Sequence, residues 1–305
     1  MKKKHLFRFL VVAVVGVLIA AFFQGNANAA ERRGRSTDTV GAESKRVVLG
    51  FYQEVLAKKQ LNLVGQYMRE DYVQHSPGLK SGVKGYLEDY GLFHTFFPDL
   101  EATIYRVVPQ GDKVFLLATF RGHHAQTGRE LVFNTAELYR VQDGKLAEHW
   151  DVVDYAAMDA FGVKLPGGVE PSTPTGWGGT DTQRLNLLRL FFTVDTVYRV
   201  PDSPFRGALA TDLIQNQPGV APGLAGLRDN IRSYRERFPD LGFEVTHTVA
   251  DDETAVVFWV WRGHEKGTGK PIELNRADVF RVDHGKFVEH WSRLDYRAVN
   301  PFGLS

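Results

Sequence analysis

Cysteine is missing altogether from this 305-residue chain. That excludes a disulfide framework and a lipid-modified cysteine anchor, so stability must come from apolar cores. A Gly-rich loop able to cradle phosphate is missing too, as is a G-x-S-x-G nucleophile turn. No basic stripe interleaved with aromatics occurs, which argues against nucleic acid as a partner. Imidazoles are present at His75, His123, His124 and His149. Neighbouring strand residues point to opposite faces, however, so His123 and His124 cannot both turn inward, and no metal site or cofactor is expected.

The single long apolar run lies at the start. Lys2, Lys3, Lys4 and Arg8 precede a run from Phe9 to Phe23, and Ala27-Asn28-Ala29 follows with small residues. This order reads as a secretory signal peptide over 1–29, with export to the periplasm or exterior. An uncleaved anchor would want about 20 apolar residues, more than the run supplies. The formal charge of +1 depends on that segment. Without its four basic residues, 33 Lys and Arg face 36 Asp and Glu, a net of −3.

The chain repeats itself. Glu148-His149-Trp150-Asp151 returns as Glu289-His290-Trp291-Ser292. At the same shift of 141, Pro77 matches Pro218, Gly82 Gly223, Asp99 Asp240, Arg121 Arg262, Lys145 Lys286 and Tyr155 Tyr296. A constant shift without gaps means a tandem duplication. The boundaries read as a flexible polar spacer at 30–41, a first domain at 42–162, a Pro/Gly-rich linker at 163–182 and a second domain at 183–305.

Within the first repeat, Val47, Val48, Phe51, Tyr52, Val55 and Leu56 recur at helical spacing. A short β-prone stretch ends at His75, before the turn Ser76-Pro77-Gly78. A second helix carries Tyr86, Leu87, Tyr90, Phe93, His94 and Phe97 and stops at Pro98-Asp99. Four strands are then expected, at Leu100–Val108, Val114–His123, Glu130–Val141 and Lys145–Val153, joined by three hairpin turns. In the second repeat Leu188, Phe191 and Phe192 open the corresponding first helix. The layout is α+β: two tandem domains, each a curved antiparallel sheet packed against N-terminal helices.

A strand ending in Gln-His-x-Pro-Gly, a helix ending in Phe-Pro-Asp-Leu, and a last strand reading Asp-Gly-Lys-x-x-Glu-His-Trp-Asp resemble the SnoaL-like polyketide cyclase family, within the nuclear transport factor 2-like superfold. The likeness covers about 42–162 and again 183–303, and is nearest to the branch of aldol-condensation enzymes. It implies that the two tandem domains are cone-shaped, each wrapped around a deep, mostly apolar hollow between helices and sheet. It also implies pairing of two such domains through the exposed face of the sheet, here as an intramolecular pseudo-dimer.

In such a hollow a carboxylate loses solvation, its pKa rises, and it becomes a usable base near neutral pH. His149 and Asp151 are two apart on one strand and share a face, with Glu148 and Trp150 on the other. The family's pocket rim corresponds to His75. The expected catalytic set is therefore Asp151, His75 and His149. Glu137, Tyr90, Phe120 and Trp150 are expected to contact ligand, with Asp278 and His290 as second-repeat counterparts. His75 and Asp151 become Asn216 and Ser292 in the second repeat, which cannot take a proton near pH 7, so chemistry is expected in the first.

Bland readings stand beside these. Asp151 could cap a strand end, His75 could steady a turn, and His149 and His290 could be structural bonds across the sheet. Glu148 and Glu289 read as ion-pair partners of Arg140 and Arg281 or of Arg121 and Arg262, and Trp150 and Trp291 as core. Two functions follow. One is a cofactor-independent acid–base enzyme of aldol, cyclisation or isomerisation type, acting on a small apolar carbonyl compound. The other is a non-catalytic ligand-binding or scaffold protein of the cell envelope. Asp151 and His75 facing different spaces would count against the first.

Overall fold

The computed structural model describes residues 27–162, 182–183, 185–187, 190 and 208–304. Most of the leader, most of the linker, and Leu188, Phe191 and Phe192 lie outside the described residues. The first domain opens with α1 (Ala27–Gly50). It runs straight through the stretch read as a spacer, because no proline between its ends interrupts propagation. At Phe51 it widens into a π-helical segment, Phe51–Ala57, an uncommon geometry often found at functional sites. Val47, Val48, Phe51, Tyr52, Val55 and Leu56 are all buried, the face their spacing predicts.

After α2 (Val64–Tyr67), β1 (Met68–Gln74) leads to α3 (Gly82–Phe96). Four strands follow: β2 (Glu101–Gln110), β3 (Lys113–His123), β4 (Glu130–Gln142) and β5 (Lys145–Val153). A short α4 (Tyr155–Asp159) ends the domain. The second domain repeats the order as β6 (Leu209–Gln215), α5 (Gly223–Arg237), β7 (Gly242–Ala250), β8 (Thr254–His264), β9 (Pro271–Asp283), β10 (Lys286–Leu294) and α6 (Tyr296–Val299). Gly82 and Gly223 begin equivalent helices at φ +77 and +78, a left-handed turn that explains why both copies hold glycine.

Each sheet has five strands, ordered β1-β5-β4-β3-β2 and β6-β10-β9-β8-β7. The meander is antiparallel as expected, but β1 and β6 join parallel to β5 and β10, so the sheets are mixed. A helix and three strands separate each parallel pair, and so long a connection permits parallel pairing. The register sets Gln74 beside His149, and the amide of His75 still donates to the His149 carbonyl at 2.9 Å.

Three apolar clusters result. Two lie between the helices and the inner face of each sheet. The third joins the outer faces, with Val108, Phe115, Leu117 and Leu138 packed against Val249, Val256, Phe258 and Val279. Its edges obey the repeat symmetry. His247 of β7 sits 4.6 Å from the Trp150 ring, and the equivalent Arg106 of β2 sits 4.9 Å over Trp291. Reciprocal contacts of this kind mark an isologous, two-fold arrangement.

Candidate functional site

Strand alternation places His149 and Asp151 on the inner face of β5, with Glu137 opposite Asp151 on β4. Between this face and α3 lies a cavity of about 300 Å³. Its walls include Tyr90, Phe93, Phe120 and Phe133, and its polar floor is Thr135, Glu137 and Asp151. Phe120 and Phe133 are parallel, 5.0 Å apart. Among the lining residues there is no lysine or arginine.

Glu137 is the most tightly held group. One oxygen, Oε2, accepts from the phenols of Tyr52 (2.9 Å) and Tyr139 (2.8 Å), and lies 3.0 Å from His149 Nε2. Burial alone would raise this carboxyl, but His149 and the two phenols outweigh it and hold it below the usual range. His149 Nδ1 lies 3.0 Å from Gln74 Oε1. Both ring nitrogens thus face oxygen atoms of neighbouring side chains.

Asp151 differs. Burial pushes its carboxyl up to about 6; the His149 charge opposes this, the Glu137 charge adds to it, and the Ser76 hydroxyl opposes it again. Ser76 Oγ sits 2.5 Å from Asp151 Oδ2 and 2.9 Å from Gln74 Oε1. A hydroxyl has one proton. It donates to Asp151 when that group is ionised, and can turn to Gln74 when Asp151 itself carries a proton. A continuous polar line then runs Asp151, Ser76, Gln74, His149, Glu137. Two carboxylates with pKa values driven apart in one cavity are the usual sign of separate roles in proton transfer.

Several expectations are corrected. His75 does not share the cavity: its ring stacks on Trp150 (4.6 Å, 3°) and its Nε2 lies 3.0 Å from Glu148 Oε2, on the outer face of the sheet. The pairing of His75 with Asp151 is therefore not formed. Trp150 also faces outward, between His75 and His247, and does not line this cavity. Tyr90, Phe120, Glu137 and Asp151 line the hollow. His149 stands behind Glu137. As anticipated, Glu148 pairs with Arg140 and Glu289 with Arg281, whereas Arg121 and Arg262 bind Glu130 and Glu273.

Asp278 and His290 are placed like Glu137 and His149, with His290 Nε2 2.8 Å from Asp278 and Nδ1 2.9 Å from Gln215. Yet the space before them is filled. Arg276, at the position of Thr135, is fully buried and donates through Nε to Asp278 (2.8 Å) and through an Nη to Gln217 (3.0 Å). Its guanidinium lies 4.6 Å over Trp261, the counterpart of Phe120. Trp259, at the position of Ala118, donates its indole N–H to Asp278 at 2.8 Å. Burial would raise Asp278, but Arg276 and His290 drive it below the usual carboxylate range. Ligand contact at Asp278 and His290 is thus blocked by the protein's own side chains.

Sequence reasoning passed over Ser76, Gln74, Tyr52, Tyr139, Thr135 and Arg276. Two were visible, since aligning the repeats at a shift of 141 sets Thr135 against Arg276 and Ala118 against Trp259. The remainder depend on meetings between residues many positions apart.

No curated protein matches the chain. Similar solved structures include IdmH from Streptomyces antibioticus, at 28% identity over 39% of this chain and 99% of that one, with a TM-score of 0.36. TsrD from Streptomyces laurentii follows at 20% identity, 39% and 93% coverage and a TM-score of 0.36. A SnoaL-like polyketide cyclase from Agrobacterium tumefaciens shows 18% identity, 38% and 94% coverage and a TM-score of 0.34. The sequence pattern of one family matches twice, over residues 46–160 and 187–300, most of both domains. The chain belongs to the SnoaL-like polyketide cyclase family, in two tandem copies.

Proposed function

We propose that the first domain is a cofactor-independent acid–base catalyst acting on a small, largely apolar carbonyl compound, while the second domain is its non-catalytic structural partner. The observation carrying this reading is Asp151, a carboxylate raised to about 6 on the floor of an apolar cavity. Asp151 takes the proton from the carbon next to the carbonyl. The freed electron pair moves onto the carbonyl oxygen as an enolate. Thr135 Oγ1, buried with no partner, is the donor placed to meet that oxygen. The enolate carbon then attacks a second carbonyl, whose oxygen takes the proton back from Asp151, giving a cyclised product; alternatively Asp151 returns the proton to a different carbon of a conjugated enolate, giving an isomer. His149 and Glu137 stay fixed and set the field around Asp151. The test is deuterium uptake at the carbon next to the carbonyl of aromatic β-keto esters in D2O. Wild type should promote exchange and Asp151→Asn should not; equal exchange by both would remove the proposal.

Ser76 supplies a check on the base. Its bond favours the ionised form of Asp151, so Ser76→Ala should raise that carboxyl further. The rate, which climbs with pH as Asp151 loses its proton, should then climb at higher pH than in wild type. An unmoved profile would assign the ionisation to another group.

The non-catalytic reading is favoured for the second domain by the Arg276 plug. Its outer sheet face packs on the first domain as a second subunit would, so the mature chain is proposed to be a monomeric pseudo-dimer. Export is proposed on the order of charged, apolar and small residues before Ala30. Native mass and N-terminal sequence of the secreted protein test both: a dimer of chains would sink the first, and an intact Met1 the second.

A further inference from the structure

We infer that the first-domain cavity binds an aromatic ligand whose head is a planar nitrogen cation of amidinium type, held between Glu137, Asp151 and the ring of Phe120. The inference rests on reading that cavity as a ligand site and names a second ligand, one that pairs with Asp151 and so competes with the carbonyl substrate. The second domain carries such a head as part of itself. There the guanidinium of Arg276 stacks on Trp261, donates to Asp278 and reaches Gln217. The corresponding first-domain positions are Phe120, Glu137 and Ser76, and the position of Arg276 itself holds the short Thr135.

Each counterpart is prepared for a visitor. All hydrogen bonds to Glu137 fall on Oε2, leaving Oε1 without a partner among the described residues. Thr135 Oγ1 is buried, 1% exposed as a residue, and unpartnered in the cavity wall. The charges agree. In the second domain one carboxylate, Asp278, faces one guanidinium, and burial with Arg276 nearby lowers the basicity of His290. In the first, the lining holds three carboxylates, Asp89, Glu137 and Asp151, and the imidazole of His124, with His149 behind Glu137 and no lysine or arginine. No guanidinium stands where the twin supplies one. A planar cation stacks on an aromatic face and donates side by side to carboxylates, which a compact ammonium does less well.

Benzamidine and its neutral isostere benzamide make the comparison, by calorimetry on the full mature chain. Benzamidine should bind once per chain, at least tenfold more tightly than benzamide. Asp151→Asn should weaken benzamidine at least tenfold and leave benzamide unchanged. Thr135→Arg builds the second domain's plug into the first. It should abolish benzamidine binding while raising the unfolding temperature. Equal affinity for both compounds, two sites per chain, no binding, or binding that survives in Thr135→Arg would each overturn the inference. Loss of deuterium exchange in Asp151→Asn does not depend on these outcomes, so failure here and failure of the catalytic proposal are told apart.

Discussion

Asp151→Asn should lower turnover by about 10²–10⁴-fold, the usual contribution of a positioned general base, and at the same time make the protein harder to unfold above pH 6. The second half follows from linkage. Folding raises the Asp151 carboxyl from its ordinary 3.8 to about 6. Between those values the folded chain holds a proton that the unfolded chain releases, so stability falls as pH rises through the window. Above it the ionised carboxylate is a standing cost of about 3 kcal/mol at most, taking 1.4 kcal/mol for each unit. Asparagine carries no charge, and its amide oxygen still accepts from Ser76. The variant should therefore match wild type near pH 3 and exceed it at pH 8 in chemical denaturation. A variant that is inactive but less stable at pH 8 would point to a structural Asp151. One that is active would leave the base unidentified.

Arg276→Ala should have the largest effect on folding, a loss of about 3–5 kcal/mol as for other broken buried ion pairs. Arg276 and Asp278 are both 0% exposed. Without the guanidinium, Asp278 keeps a buried charge whose remaining donors are Trp259 and His290, and the aromatic face of Trp261 loses its cover. A cavity adds to the cost. The sign with pH is opposite to that of Asp151. Folding depresses the Asp278 carboxyl, so its stabilising share is complete above about pH 4, its unfolded value, and fades in acid. The deficit of Arg276→Ala should accordingly shrink at low pH. Urea unfolding at pH 7 and pH 3 measures both. A loss under about 1 kcal/mol at pH 7 would mean that the second domain does not need its plug.

The two sites show one scaffold used in two ways. Both keep the imidazole between a strand carboxylate and a glutamine: His149 with Glu137 and Gln74, His290 with Asp278 and Gln215. Persistence of that trio where the cavity is filled marks the bonds within it as structural support. Ser76, Thr135 and Asp151, replaced in the second copy, together with the Oε1 of Glu137, unpartnered among the described residues, then carry what is particular to the first.

By itself the sequence determined the duplication, the hairpin meander and the common face of His149 and Asp151, because each follows from local periodicity or turn chemistry. It also placed Tyr90, Phe120 and Glu137 toward the hollow. Only the tertiary structure decided which distant residues meet, such as Tyr52 with Glu137 or Ser76 with Asp151, since loop closure and register are set by packing. The parallel register of β1 on β5 faces Gln74 toward His149, and so turns the next residue, His75, outward onto Trp150. A one-residue difference in a period of two separates a cavity residue from an interface residue, and nothing local to His75 fixes which it is.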